Sequence, residues 1–194
     1  MDINIKTNKI PSLEKLFNNV DTAVSVISKK FAHLVRCRPG CTDCCYALFD
    51  ISFIEALNLT LIIKDLKRSE RRKLERNAKK FKEKFSKLVK APNISTMSQY
   101  KIRCPLLTDN GLCYLYWARP VNCRIYGVPT TLDGKAHVCG LSGFIEGDSY
   151  PTIEISKIQR QLLDLSLTIA PNKLLAYKRF MISEIILSPQ LLNF

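Results

Sequence analysis

Eight cysteines in two groups of four constrain this chain more than any other feature: Cys37, Cys41, Cys44 and Cys45 are packed together, while Cys104, Cys113, Cys123 and Cys139 are strung out further on. Met1 to Lys9 mixes Asp2, Lys6 and Lys9 with polar residues and has no apolar centre, so it does not read as a secretory leader. The thiols are therefore expected in a reducing cytosol, a cytoplasmic location in which structural disulfides are rare and clustered cysteines more often hold metal.

The 194 residues fit a single domain over 1–194, long enough to bury about 70% of the surface its unfolded form would expose. Metal is not needed merely to give the chain a core. Hydrophobic residues at 46% and charged residues at 24% exclude global disorder. The most apolar stretch, Ile51 to Ile63, is interrupted by Ser52, Glu55, Asn58 and Thr60 and falls short of the ~20 apolar residues of a membrane span.

The formal charge is +13, with 30 basic against 17 acidic residues. The segment Lys64 to Lys90 holds 13 basic and four acidic residues and supplies +9 of that excess. It reads either as a solvated helix face or as a surface for an acidic protein or nucleic acid.

Pro11 and Ser12 precede an apolar series, Leu13, Leu16, Phe17, Val20, Val24, Ile27, Phe31 and Leu34, that predicts a helix over 12–36 running into the first cysteines. Ser52 and Glu55 form a capping-box pattern opening a helix to about Leu66. Ser69 is placed to cap a third, basic helix over 69–90, with Leu74, Ala78, Phe81, Phe85 and Leu88 as its apolar stripe and Ala91, Pro92 and Asn93 as its stop. Asn110-Gly111 and Asp133-Gly134 predict two short hairpins, the second pairing Thr130–Leu132 with Lys135–His137 and delivering Cys139. Two helices close the chain within 154–188, one marked by Ile158, Leu162, Leu165 and Ile169, the other by Pro171, Leu174, Tyr177, Phe180 and Met181. The expected class is mainly α: about five helices carrying cysteine-rich loops and one or two short β-hairpins around a cysteine core at 37–140.

Four thiolates give a metal soft, anionic donors. Only Cys41 to Cys44 has knuckle spacing, and the dispersed later cysteines suit an iron-sulfur cubane, [4Fe-4S], better than paired zinc knuckles; zinc remains the alternative. In extended backbone, neighbouring Cys44 and Cys45 point to opposite sides and would serve different sites. A two-residue turn at Asn110-Gly111 would pair Thr108 with Cys113 and hold Cys104 roughly 13 Å from Cys113 at ~3.3 Å per residue, again separating the two. Each site is thus expected to draw on both cysteine groups; a centre shared by Cys104 and Cys113, or a hairpin bent around Pro105, would refute this.

The run Cys37-x3-Cys41-x2-Cys44-Cys45, with Cys104-Pro105-Leu106, Gly111-Leu112-Cys113-x2-Tyr116, Arg119-Pro120-x2-Cys123-Arg124-x-Tyr126 and Cys139, resembles the YkgJ-type cysteine-cluster family, a zinc- or iron-chelating domain also found in flagellin lysine N-methylases. The resemblance covers about Cys37 to Gly140 and implies a metal-binding module with all eight cysteines as candidate ligands. The three-residue first gap and the Thr42-Asp43 spacer depart from the pattern, and methylase activity does not carry over, because the outer helices are not covered. The three-cysteine spacing of radical S-adenosylmethionine enzymes also occurs, but without the strand-helix alternation of their barrels.

Arg119 and Arg124 flank Cys123 and are candidate hydrogen-bond donors to cluster sulfur. Tyr116, Trp117 and Tyr126 read as shielding and core residues, and His33 and His137 as bystanders to a complete thiol set. No phosphate loop, nucleophile elbow or His-Glu-x2-His pattern occurs. Three classes of function remain open: a metal-binding protein with one or two centres, a metal-dependent redox or methyl-transfer component, and a metal-scaffolded module binding nucleic acid or an acidic partner through helix 69–90.

Overall fold

A computed structural model describes residues 8–90, 100–145 and 147–192. Most of the Met1–Lys9 segment and the helix stop at Ala91, Pro92 and Asn93 lie outside them. Pro11 occupies the first turn of α1 (Pro11–Lys30), where a missing N–H costs nothing, and the helix buries Leu13, Leu16, Phe17, Val20 and Ile27. It ends six residues before the predicted limit at 36, because Phe31 leaves helical geometry and its ring packs edge-on against Phe144 and Tyr150.

α2 (Phe53–Lys64) is buried on nearly all sides and forms the centre of the core. α3 (Arg68–Val89) begins ahead of Ser69: the Glu70 carboxylate accepts the Lys67 N–H at 2.9 Å, so Glu70 rather than Ser69 caps the first turn. Its buried seam is Leu74, Ala78 and Phe81, and it packs against α7 (Ile182–Leu187). Between them in sequence come the one-turn α4 (Val121–Arg124), α5 (Ile155–Ile169) and α6 (Lys173–Tyr177). The protein is mainly α, with seven α-helices among the described residues.

The predicted final helix is split in two. Lys178 and Met181 are extended because Phe180, fully buried, exchanges both backbone hydrogen bonds with Ile51 at 2.9 and 3.0 Å. α5 buries Ile158, Leu162 and Ser166, while Ile169 is exposed; the Ser166 hydroxyl accepts the Ile54 N–H at 3.3 Å, one of the orphan donors of α2. β1 (Thr130–Leu132) and β2 (Lys135–His137) form the predicted hairpin in register Thr130 with His137, around Asp133 and Gly134 at φ 49° and 76°. A third strand absent from the sequence expectation, β3 (Ile153–Glu154), pairs in parallel with β1, giving the order β2-β1-β3. No described helix is long and apolar enough to cross a membrane.

Two buried charges tie the cysteine-bearing segments to the helices. Glu55 of α2, 3% exposed, accepts the Ser52 N–H (2.9 Å) and hydroxyl (2.7 Å) through one oxygen and the Val121 N–H (2.8 Å) through the other, anchoring the turn that carries Cys123. Arg124, 5% exposed, donates to Asp21 of α1 and to the Trp117 and Arg119 carbonyls and covers the Phe17 ring at 4.0 Å. Replacing Glu55 strands three buried donors, so Glu55→Ala is expected to cost about 3 kcal/mol in urea unfolding and Glu55→Gln clearly less. Equal losses in the two variants would show that the carboxylate's acceptor geometry is not what holds the turn.

Candidate metal centre

The first cysteine group is folded by its own backbone. Cys41 donates to the Arg38 carbonyl (2.9 Å), and a 3-10 turn over Asp43–Cys45 closes with Cys45 N–H to Thr42 (2.8 Å) and Tyr46 N–H to Asp43 (3.0 Å). The extended backbone that would separate Cys44 from Cys45 therefore does not form, and their sulfurs stand 3.9 Å apart. Cys45 is buried, Cys37 is exposed and the other six are partly buried; all eight are free thiols.

The second group meets the first through a short backbone ladder, with Cys104 N–H to the Cys45 carbonyl at 2.7 Å and Ile102 N–H to Tyr46 at 3.3 Å. Past Cys104 the chain turns at once: Leu107 N–H bonds the Cys104 carbonyl at 3.1 Å, bending the hairpin around Pro105. Its register also differs by one from expectation. Leu107 faces Cys113, because the loop holds three residues, Asp109 to Gly111, with Gly111 at φ 77°. The bend overturns the expected separation of Cys104 from Cys113, on which the interleaved assignment of the sites rested in part. Cys123 rides on α4, and Cys139 follows β2 in a turn closed by Ser142 N–H at 2.9 Å.

Charge coupling shows which thiols are neighbours. Burial and then the charges of Cys41 and Cys44, with a lesser contribution from Cys139, push Cys37 up. Burial and then Cys44, Cys104 and Cys113 push Cys123 well up, and burial lifts Cys104 to about 12, with Cys113 and Cys44 adding to it. Cys45 is raised by its hydrogen bond with Cys44, by burial and by Cys104 and Cys113. Cys44, hydrogen-bonded by Cys45, is lowered to about 7 and lies electrostatically between the two sets.

Backbone amides are aimed at sulfur in a repeated pattern. The amide two residues on serves Cys104 (Leu106), Cys113 (Leu115) and Cys139 (Leu141, 3.4 Å to sulfur), lowering each thiol against the burial that raises it. Donors in these positions favour thiolate, the form a metal binds, and so the donor set fits a thiolate-bound metal.

Of the two flanking arginines, Arg124 is committed to Asp21 and carbonyls. Arg119 is the one facing the thiols: its charge lowers Cys37, Cys44, Cys113 and Cys123, its guanidinium lies 3.9 Å from the Tyr116 ring centre, and its Nε is buried without a partner. Tyr116 is 59% exposed rather than a core residue. Tyr126 instead donates to Asp43 at 2.7 Å. Asp43, which the sequence marked only as an odd spacer, also accepts from Lys101 (2.9 Å) and Cys139 (3.7 Å); these bonds hold its carboxyl below the usual range against the desolvation that raises it. His33 and His137 are exposed.

Cys37, Cys41, Cys44 and Cys139, with Tyr126 and Gly127, wall a cavity of about 10 Å³, and Cys44 and Cys104 border another of about 20 Å³. A larger cavity of about 300 Å³, lined among others by Phe49, Asn122, Val128, His137 and Cys139, adjoins the first. Among the described residues no three Cys, His, Asp or Glu side chains are already gathered as a metal site.

A family model named CxxCxxCC and described as "Putative zinc- or iron-chelating domain" matches residues 36–140. The chain belongs to this family, and that membership together with the eight cysteines supports a metal-binding role. No match was found among curated proteins or among solved structures.

Gly127 sets how closely the α4 segment approaches Cys37: it has φ 104°, and an added Cβ would lie 2.8 Å from the Cys37 Cβ. Gly127→Ala is expected to displace Cys37 and weaken metal binding roughly 10–100-fold, as outer-shell changes do, read by chelator competition. Unchanged affinity would remove Cys37 from the ligand set.

Proposed function

We propose that this member of the chelating-domain family binds metal in two adjoining four-thiolate zinc centres, an outer one of Cys37, Cys41, Cys44 and Cys139 and an inner one of Cys45, Cys104, Cys113 and Cys123. Each draws on both cysteine groups. The amides two residues beyond Cys104, Cys113 and Cys139 carry this reading, because they are donors set to stabilise anionic sulfur. Four thiolates per centre complete the tetrahedral shell of a structural zinc ion. Zinc, when bound, supplies a soft cation without redox chemistry.

The chain's own residues do the rest. Arg119 offers its unpartnered Nε and its charge to the thiolates, and Asp43, held by Lys101 and Tyr126, fixes the turn between Cys41 and Cys44. The role this supports is structural: joined loops on a helical scaffold. The 300 Å³ cavity against Cys139 favours a second, enzymatic reading, in which a small substrate reaches the outer centre for redox or methyl-transfer chemistry. Ligands that fill it should slow alkylation of Cys139 in metal-free protein.

Anaerobic purification followed by metal and sulfide analysis is expected to give two zinc ions per chain and no labile sulfide. Cys139→Ser should lose one equivalent and Cys123→Ser the other. Brown protein with iron and sulfide would replace zinc by a cluster, and loss of all metal in either variant would mean one shared centre.

Proton linkage gives an independent check. Burial holds Cys37, Cys104, Cys113, Cys123 and Cys139 above the ordinary thiol value, so these ligands are protonated at neutral pH and must release protons to bind metal. Affinity should therefore rise steadily with pH from 6 to 9 in chelator competition. A flat profile would exclude these thiols as ligands.

A further inference from the structure

We infer that the outer face of α3 is a docking surface for the backbone of double-stranded DNA, bound without reading its sequence. The seam that holds α3 to the protein is narrow: Leu74, Ala78 and Phe81 are buried and Phe85 is half-buried. The opposite side carries Arg68, Arg72, Arg76, Lys79, Lys80 and Lys87, spaced largely in three- and four-residue steps and therefore on one face. From Arg68 to Lys87 this ridge runs roughly 28 Å at 1.5 Å per residue. All six are exposed and enter no ion pair among the described residues; Glu75 and Glu83 are the acids that border or interrupt the ridge.

The chemistry of the surface selects its partner. A protein interface requires apolar or aromatic anchors at its centre and is depleted in lysine. The outer face of α3 has none, and Val89 at the helix end is its sole exposed large hydrophobic residue among those described. An anionic membrane would also attract these charges, but a helix lying in the interface adds an inserted apolar face, and here that face is spent on the core. Single-stranded nucleic acid is held by aromatic stacking, and both aromatics of α3, Phe81 and Phe85, stack on each other at 5.9 Å within the seam. Duplex DNA needs only cations along its phosphates and has a major groove wide enough for a helix, whereas the major groove of A-form RNA is deep and narrow. The ridge lacks Asn and Gln, the usual readers of adenine, so contacts are to phosphate.

The test is fluorescence anisotropy on the full chain as purified with two unrelated 20-bp duplexes. About five phosphate contacts predict a log–log salt slope near −4.5, a weakening of roughly 500-fold between 50 and 200 mM salt, with equal affinity for both sequences. The triple variant Arg72→Ala, Arg76→Ala, Lys80→Ala introduces the best helix former at exposed sites, so fold and metal content should be unchanged. Its slope should shrink by about 2.7. The exposed Lys135→Ala should behave as wild type. No duplex binding at 50 mM salt, an unchanged slope in the triple variant, or tighter binding to polyglutamate or to a single strand of equal charge would each overturn the inference.

Discussion

The hydrogen bond from the Cys104 amide to the Cys45 carbonyl, 2.7 Å long, is where the two cysteine-bearing segments meet, and the rest of the site is arranged around it. With its neighbour from Ile102 to Tyr46 it fixes the second segment against the 3-10 turn of the first before any side-chain chemistry enters. The turn at Pro105 then carries the chain back toward Cys113, and Glu55 holds the α4 turn with Cys123 alongside. Backbone geometry brings distant cysteines together, and polar side chains from α1, α2 and α3 lock each segment in place.

Gathering eight thiols in this way has an electrostatic cost that the chain meets locally. Burial and mutual repulsion raise most of them, so the metal-free site is comfortable with protons on sulfur. Amides at Leu106, Leu115 and Leu141 and the charge of Arg119 work in the other direction. Six of the eight thiols are thus held toward their protonated form, so any metal they were to bind would have to displace those protons.

Features governed by neighbours in sequence were legible: the Ser52–Glu55 start of α2, the seam of α3, and the Asp133-Gly134 hairpin. Family membership was legible from the double cysteine and the Arg-Pro-x2-Cys-Arg element. What escaped depends on contacts far along the chain. Phe180 breaks a helical pattern because Ile51 offers it a strand partner; β3 exists because β1 has a free edge; Arg124 looked like a sulfur donor until Asp21 and Phe17 were seen to occupy it. Asp43 was hidden for the opposite reason: its residue type fits a turn without demanding one, and its role comes from Lys101, Tyr126 and Cys139 converging on it. The separation of Cys104 from Cys113 expected of a straight strand does not hold because the chain bends at Pro105.

Arg119 is the cation whose charge acts on the thiols, whereas the basic ridge lies on the side of α3 opposite its buried seam. Yet α3 is not independent of the site. Glu70 accepts from Tyr114 (2.5 Å), Asn77 donates to the Pro105 carbonyl (3.2 Å) and Lys73 pairs with Asp109 (3.5 Å), so three residues of one helix grip the hairpin that bears Cys104 and Cys113. The two faces of α3 therefore do different things: one is bonded to the metal-candidate hairpin, the other is charged and open. The helix thus joins the hairpin through one face while its charged face stays in solvent, so the ridge is fixed in place relative to the cysteine core.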